Sequence, residues 1–361
     1  MSENDNNASR CEALSILADV FQEEESSQPD VIADDPPTEK PKRSWLWIGL
    51  SLAISVVAES IAVPVTIRWQ SGGTVPKPLC EPFTSECLAV LLQSHLPTIA
   101  FDNTTFPESR ALAWMTEVDT RNQQTLSDDE LVQRFAMAAI GYSIHGLDNW
   151  LTRESECSWG SGQVYCNPSG KVNRIVAQED SLSGSIPVSI GLLTNMKVLG
   201  FFDSALTSTI PSEVKSLTAL TWLWLNGNQL TGTIPSEVGG LTGLTSLDLE
   251  DNKLTRTIPS EVGGLTGLSW LGLRHNALTG TIPTEVGHLK ALWVLGLDNN
   301  VLTGTIPSEM GGLAALARLD LYNNTLIGTM PANVCQVALP RIDCGEIICE
   351  CCQDSSDSDC P

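Results

Sequence analysis

The dipeptide Ile-Pro recurs at Ile186, Ile210, Ile234, Ile258, Ile282 and Ile306, and Met330-Pro331 continues the series, every step being 24 residues. A period of that length, held over seven copies, leaves little but a solenoid. One unit cannot bury its own apolar side chains, so neighbours must stack and share a continuous core. Each unit can be written L-x-x-L-x-x-L-x-L-x-x-N-x-L-T-G-T-I-P-S-E-V-G-x, and in one of them Leu241, Leu244, Leu247, Leu249, Leu254 and Ile258 are the expected buried positions. Leu247-Asp248-Leu249 alternates in and out, as a short strand does. Asn228, Asn252, Asn276, Asn300 and Asn324 follow the strands at one fixed offset. An amide turned inward there can bond backbone groups of the bend that no ladder reaches. Gly184, Gly232, Gly280, Gly304 and Gly328 permit a tight bend, and Pro then fixes φ before a short helical turn that opens Ser-Glu or Thr-Glu, residues suited to capping. Departures are local: Asp180 and Ser204 replace the Asn, while Ser208 and Arg256 replace the Gly.

This unit resembles the plant-type leucine-rich repeat, LxxLxxLxLxxNxLxGxIP, of the ectodomains of receptor-like kinases and receptor-like proteins, over about residues 170–334. The resemblance implies an α/β solenoid: a right-handed leucine-rich-repeat horseshoe closed by Cys-containing caps. Trp150, Cys157, Trp159 and Cys166 resemble the W…C-x-W…C end of the N-terminal cap in that family, placing a cap at 109–169 and implying a Cys157–Cys166 disulfide. Within it, Arg110 to Trp114 opens the cap. Leu131–Gly141 reads as an apolar helix with a capping box at Ser127 and Glu130. Residues 69–108, spotted with Pro and Thr, read as a juxtamembrane stalk, and 335–361 as a Cys-rich C-terminal cap. The whole arrangement also resembles microalgal surface leucine-rich-repeat proteins.

Ahead of the stalk the composition changes twice. Residues 1–43 hold 11 acidic and four basic residues with no apolar period, and read as a disordered acidic tail. Residues 44–68 contain the 23-residue run Trp45–Ile67 with one charge, Glu59, long enough for a membrane-spanning helix. Lys40, Lys42 and Arg43 precede it and only Arg68 follows closely. The positive-inside bias therefore predicts a single-pass signal anchor at the plasma membrane, with a cytoplasmic N-terminus and extracellular repeats. Cleavage after Ser60 is the rival reading and would release a soluble protein.

The cysteines fit this topology. Cys11 is alone on the inner side, and ten lie beyond the anchor, as an oxidising exterior permits. Cys80–Cys87 is the expected pair in the stalk, and the terminal six allow 15 connectivities. Cys344, Cys349, Cys351 and Cys352 have no His nearby, so oxidation is expected rather than a metal site. Asn103 and Asn323 are glycosylation sequons on the outer side.

A formal charge of −23 speaks against nucleic acid as a partner. The positions flanking the strand leucines are free to carry a ligand. They give Trp222, Trp224, Asp248, Glu250, Trp270, Arg274, Trp293, Asp298, Asp320 and Tyr322 as the concave-face site, with the four tryptophans forming an aromatic strip beside an acidic patch. The alternative is that the tryptophans pack on one another and stiffen the sheet. An extracellular peptide, protein or carbohydrate suits the surface, with a co-receptor reached through the membrane helix or the acidic tail. The carboxylates read as solubilising, with no positioned nucleophile beside them. His95, His145, His275 and His288 lack ligand or triad spacing. No catalysis, cofactor or metal is therefore expected. The kinase signatures of the resembled receptors are missing from the sequence. The function read from the sequence is receptor-like ligand binding, with adhesion or wall attachment as the competitor. A secreted inhibitor of extracellular hydrolases is the third reading and requires the cleavage.

Overall fold

The computed structural model describes residues 84–342 and 347–348, apart from positions 98, 100, 102–104, 120–125, 148–149, 179–181 and 336–338. All of them belong to one compact unit, 72–361. The acidic tail, the anchor segment, Cys80 and Asn103 lie outside the described residues. Among the described residues no helix is long and apolar enough to cross a membrane.

Among the described residues three α-helices form the N-terminal part: α1 (Ser85–Gln93), α2 (Pro107–Ala113) and α3 (Asp128–Ser143). Within the segment expected as a stalk, α1 forms from residue 85 onward. Thr84 caps α1 by accepting from the Cys87 N–H at 3.2 Å, and Leu88 and Leu92, one turn apart, are both buried. That spacing gives the segment an apolar face, which packs into the same core as the repeats. The expected capping box is present on α3, where the Glu130 carboxylate accepts from the Ser127 N–H at 2.8 Å and from its hydroxyl at 2.6 Å. Cys157 and Cys166 are disulfide-bonded, as the resemblance implied. Cys87 and Cys335 each take part in a disulfide as well.

One feature of the cap has no local signal in sequence. Arg134 of α3 is wholly buried between the rings of Trp114 and Trp159, 5.1 and 5.4 Å from their centroids. Its guanidinium donates to Asp119, to Glu156 at 2.8 Å, and to the carbonyls of Thr152 and Glu154 at 3.1 and 3.0 Å. A buried charge persists only when it is paired and hydrogen-bonded in this way.

The repeats form a nine-stranded sheet in chain order: β1 (Val164–Cys166), β2 (Val172–Gln178), β3 (Val198–Phe202), β4 (Trp222–Trp224), β5 (Ser246–Asp248), β6 (Trp270–Gly272), β7 (Val294–Gly296), β8 (Arg318–Asp320) and β9 (Leu339–Arg341). All neighbours are parallel except β1, which runs antiparallel to β2. The array therefore supplies seven strands, and each cap adds one. Short second strands, among them Lys253–Arg256, Ala277–Gly280 and Val301–Gly304, make a further parallel sheet. The six expected core positions of the unit at 241–258 are all buried.

The asparagine ladder works as its offset required. Asn252 donates through Nδ2 to the carbonyls of Leu225, Leu249 and Glu250 at 2.8, 3.2 and 3.0 Å, while its Oδ1 accepts from the Leu230 N–H at 2.9 Å. Each such amide ties its own bend to the preceding repeat, as the parallel bonds of Asn228 and Asn300 repeat. The bend glycines take the left-handed conformation, with φ of 79° at Gly232 and 76° at Gly280. Ser208 and Arg256 are forced into the same region at 73° and 66°. The capping role expected of the Ser-Glu pair is not realised. Ser236 Oγ sits 3.3 Å from the Glu237 carboxylate, and the turn is closed by the Val238 N–H donating to the Pro235 carbonyl.

Candidate functional site

The register of the main sheet fixes the concave face as rows running across the strands. Trp222, Ser246, Trp270, Val294 and Arg318 align in the first row, and Trp224, Asp248, Gly272, Gly296 and Asp320 in the second. Two residues further along each chain come Asn226, Glu250, Arg274, Asp298 and Tyr322. Nine of the ten expected residues fall in these rows. Trp293 does not: it precedes β7, in the place held by Thr221, Thr245 and Ser269, and is 46% exposed. Val294 stands where the aromatic strip was expected to continue. The strip is thus Trp222, Trp224 and Trp270, and Phe202 joins it.

Trp222 and Trp224 stack with ring centroids 5.1 Å apart and planes 15° apart, and Phe202 meets Trp224 edge-on at 6.2 Å. Trp224 Nε1 donates to Ser246 Oγ at 3.0 Å. The rings therefore do pack on one another, while remaining partly exposed. Stacked aromatics with an open outer surface offer large contact area at little conformational cost.

The acidic half is not the solvated patch that the sequence suggested. Glu250, Asp298 and Asp320 are 6%, 1% and 2% exposed. For Glu250 the glycines at 272 and 296 are the reason. A Cβ on Gly272 would lie 2.8 Å from Glu250 Oε1 and 2.9 Å from Trp270 Nε1, and one on Gly296 would lie 3.2 Å from the same carboxylate oxygen. The Glu250 side chain leans across the space that two side chains would otherwise fill. Arg274 holds it at 2.6 Å, and Arg318 pairs with Asp320 at 2.6 Å. Asp298 accepts from the Asn299 amide at 2.7 Å and from the Tyr322 hydroxyl. Even so, Oδ1 of Asp298 and Oδ1 of Asp320 are buried without a hydrogen-bond partner, as is the N–H of Trp270.

Crowding shifts these groups. Burial pushes the Asp248 carboxyl up to about 7, against the pull of Arg274. Burial and the adjacent Asp248 raise Glu250 well above the usual carboxylate range, and burial also raises Asp320. Tyr322 is pushed up to about 12 by burial and Asp298. His275 is raised by its 2.7 Å bond to Asp251. Among the described residues no group of three His, Cys, Asp or Glu side chains could hold a metal ion. Asn323, the second sequon, is exposed and follows Tyr322 directly, so a glycan there would stand at the C-terminal rim of the face.

A further row was missed from sequence. Asp203, Gly227, Asp251, His275, Asn299 and Asn323 all take positive φ, between 49° and 65°. They recur every 24 residues and are types that tolerate this conformation, which was the available signal.

A family model described as leucine rich repeat matches residues 218–278. Among solved structures, the ectodomain of the Arabidopsis thaliana membrane receptor kinase GASSHO1/SCHENGEN3, in complex with CASPARIAN STRIP INTEGRITY FACTOR 2, is 34% identical over 53% of this chain and 24% of its own, with a TM-score of 0.50. The Arabidopsis receptor kinase HAESA ectodomain is 26% identical over 60% of this chain and 42% of its own, with a TM-score of 0.48. A leucine-rich-repeat protein of Leptospira interrogans is 35% identical over 46% and 41%, with a TM-score of 0.40. The chain thus spans about a quarter of the first ectodomain's length. No curated protein matches it.

Proposed function

We propose, from the premise that this chain is a leucine-rich-repeat protein of the plant type, that it binds an extracellular peptide or protein ligand on its concave sheet and acts by recognition rather than catalysis. The observation that carries this reading is the content of the strand-flanking rows. Elsewhere the repeats carry near-constant Thr, Ser and Glu, whereas these rows hold stacked tryptophans beside buried, incompletely satisfied carboxylates. Surfaces of that kind are where binding energy concentrates. The similarity to a receptor ectodomain solved with its ligand supports the same reading. The run Trp45–Ile67 supports membrane display with the repeats outside, and the tail at 1–43 or the membrane helix is then the route to a co-receptor.

Selection of displayed random peptides on the full-length protein in detergent tests this. Peptides captured by the native chain should be lost by the Trp222→Ala, Trp270→Ala double variant at unchanged melting temperature. Capture should persist in Thr255→Ala, Thr279→Ala, which alters the second sheet. Undiminished capture by the tryptophan variant would leave those rings a stiffening role only.

A further inference from the structure

Asp248 stands among the concave tryptophans rather than beside them. In register it pairs with Trp224 on one side and Gly272 on the other, and Ser246, two residues earlier on the same face, pairs with Trp222 and Trp270. The half-buried Asp248 carboxyl is therefore a charge set among three indole rings. Glu250 follows on the same face, 6% exposed, and its N–H donates to Asp248 Oδ1 at 3.1 Å. The Glu250 side chain lies in the space that Gly272 and Gly296 leave, 2.6 Å from Arg274. The other groups facing this pair do not relieve it. Asp203 comes from the bend after β3, Asp251 from the pair's own bend and Asp298 from the end of β7, and all three are acidic. His275, after β6, is held by Asp251 at 2.7 Å. Arg274 is thus set against Asp248, Glu250, Asp251 and Asp298 together. Two carboxylates that share one guanidinium away from water keep a proton between them.

We propose that the tryptophan strip takes its peptide together with a proton: an uncharged, apolar stretch of the ligand closes over Asp248, and the Asp248–Glu250 pair holds one proton in the complex. The proton comes from solvent and returns to it on release. The cause is desolvation. Covering a carboxylate with an uncharged surface removes the water that stabilises its charge, which favours the neutral acid. The nearest indole offers no donor in exchange, because Trp224 Nε1 already donates to Ser246. A basic ligand residue would act in the opposite sense, pairing with the ionised carboxyl and releasing the proton, so the sign of the linkage identifies the covering chemistry. Recognition is strongest, on this account, in a mildly acidic exterior. The inference rests on the concave-face reading above and adds the charge state and the ligand chemistry of that face.

Two measurements on the full-length protein in detergent separate the proton device from that reading. With fluorine-labelled tryptophan and no peptide, the Trp224 and Trp270 resonances should move together between about pH 5 and about pH 8, and should stay in place in Asp248→Asn. No movement, or the same movement in the variant, overturns the proposal. A peptide selected from the displayed library at about pH 6 is then titrated by calorimetry. Its affinity for the native chain should fall about tenfold by about pH 8, as uptake of one proton requires. Asp248→Asn should bind it alike at both pH values, and Glu237→Gln, on the remote helical turn, should show the native fall. Melting curves at both pH values confirm that each chain is folded. Native affinity that is level or rises with pH overturns the proposal, and leaves the concave-face reading standing if binding still requires Trp222 and Trp270. Capture independent of those two rings, or no capture, removes both.

Discussion

Residue identities at fixed offsets carried most of what could be known locally. The ladder asparagines announced themselves because a polar side chain at one offset behind every strand has backbone groups to satisfy and no other reason to recur. Trp293 lies one residue before the first concave row, where Val294 stands, and a one-residue step along a strand changes the face. The burial of Glu250 could not be read at all, because its side chain lies in the space that glycine leaves at 272 and 296. Arg256 shows a local conflict that can be relieved: its Cβ is crowded against the backbone at φ 66°, where sister repeats have glycine. Arg256→Gly should raise unfolding stability by about 1 kcal/mol in denaturant titration. Asp248 gives a pH dependence with a definite sign. Its folded carboxyl titrates at about 7, above the ordinary value, with Glu250, Arg274, Asp251 and Asp203 around it. The folded chain therefore holds protons that the unfolded chain releases, so this stability is complete below about pH 4 and is lost as pH rises through about 7. His275, also raised, acts in the same direction. The melting temperature should fall between pH 5 and pH 8, and Asp248→Asn should flatten that fall; an equal slope in the variant would remove Asp248 as its cause.

At the scale of elements, whatever repeats was legible and whatever closes the repeat was less so. Strands, bends and the short helical turns follow from the 24-residue period, and α3 from its apolar run with a capping box. The helix α1 was hidden in a stretch whose prolines and threonines suggested a stalk, although Thr84 and the Leu88–Leu92 pair were signal enough. Strand β9 was missed because Leu339-Pro-Arg341 breaks the leucine pattern, and a proline is admissible there only at the sheet's edge. The Arg134 cluster joins residues from 119 to 156, a pairing that no local pattern encodes. It makes a firm prediction about the cap. Arg134→Met strands Asp119 and Glu156 as buried charges and should cost about 3–5 kcal/mol, read by thermal or chemical unfolding. Losses near zero would mean that the two carboxylates are released to solvent.

For the molecule as a whole, the period dictated a solenoid, and the solenoid dictated one extended surface on which neighbouring repeats bring distant residues together. What that surface binds was legible only in outline, since charge and aromaticity can be read from letters but the burial of Glu250 over Gly272 and Gly296 cannot. The proposal of an anchor at 44–68 rests on hydropathy and flanking charge. The most direct test labels the ten tryptophans with fluorine and records the NMR spectrum of the full-length protein as a captured peptide is added. Recognition on the concave sheet requires the Trp222, Trp224 and Trp270 resonances to shift while those of Trp114, Trp150 and Trp159, buried in the cap, stay in place. Shifts confined to the cap, or none at the three concave rings, would place the binding surface elsewhere.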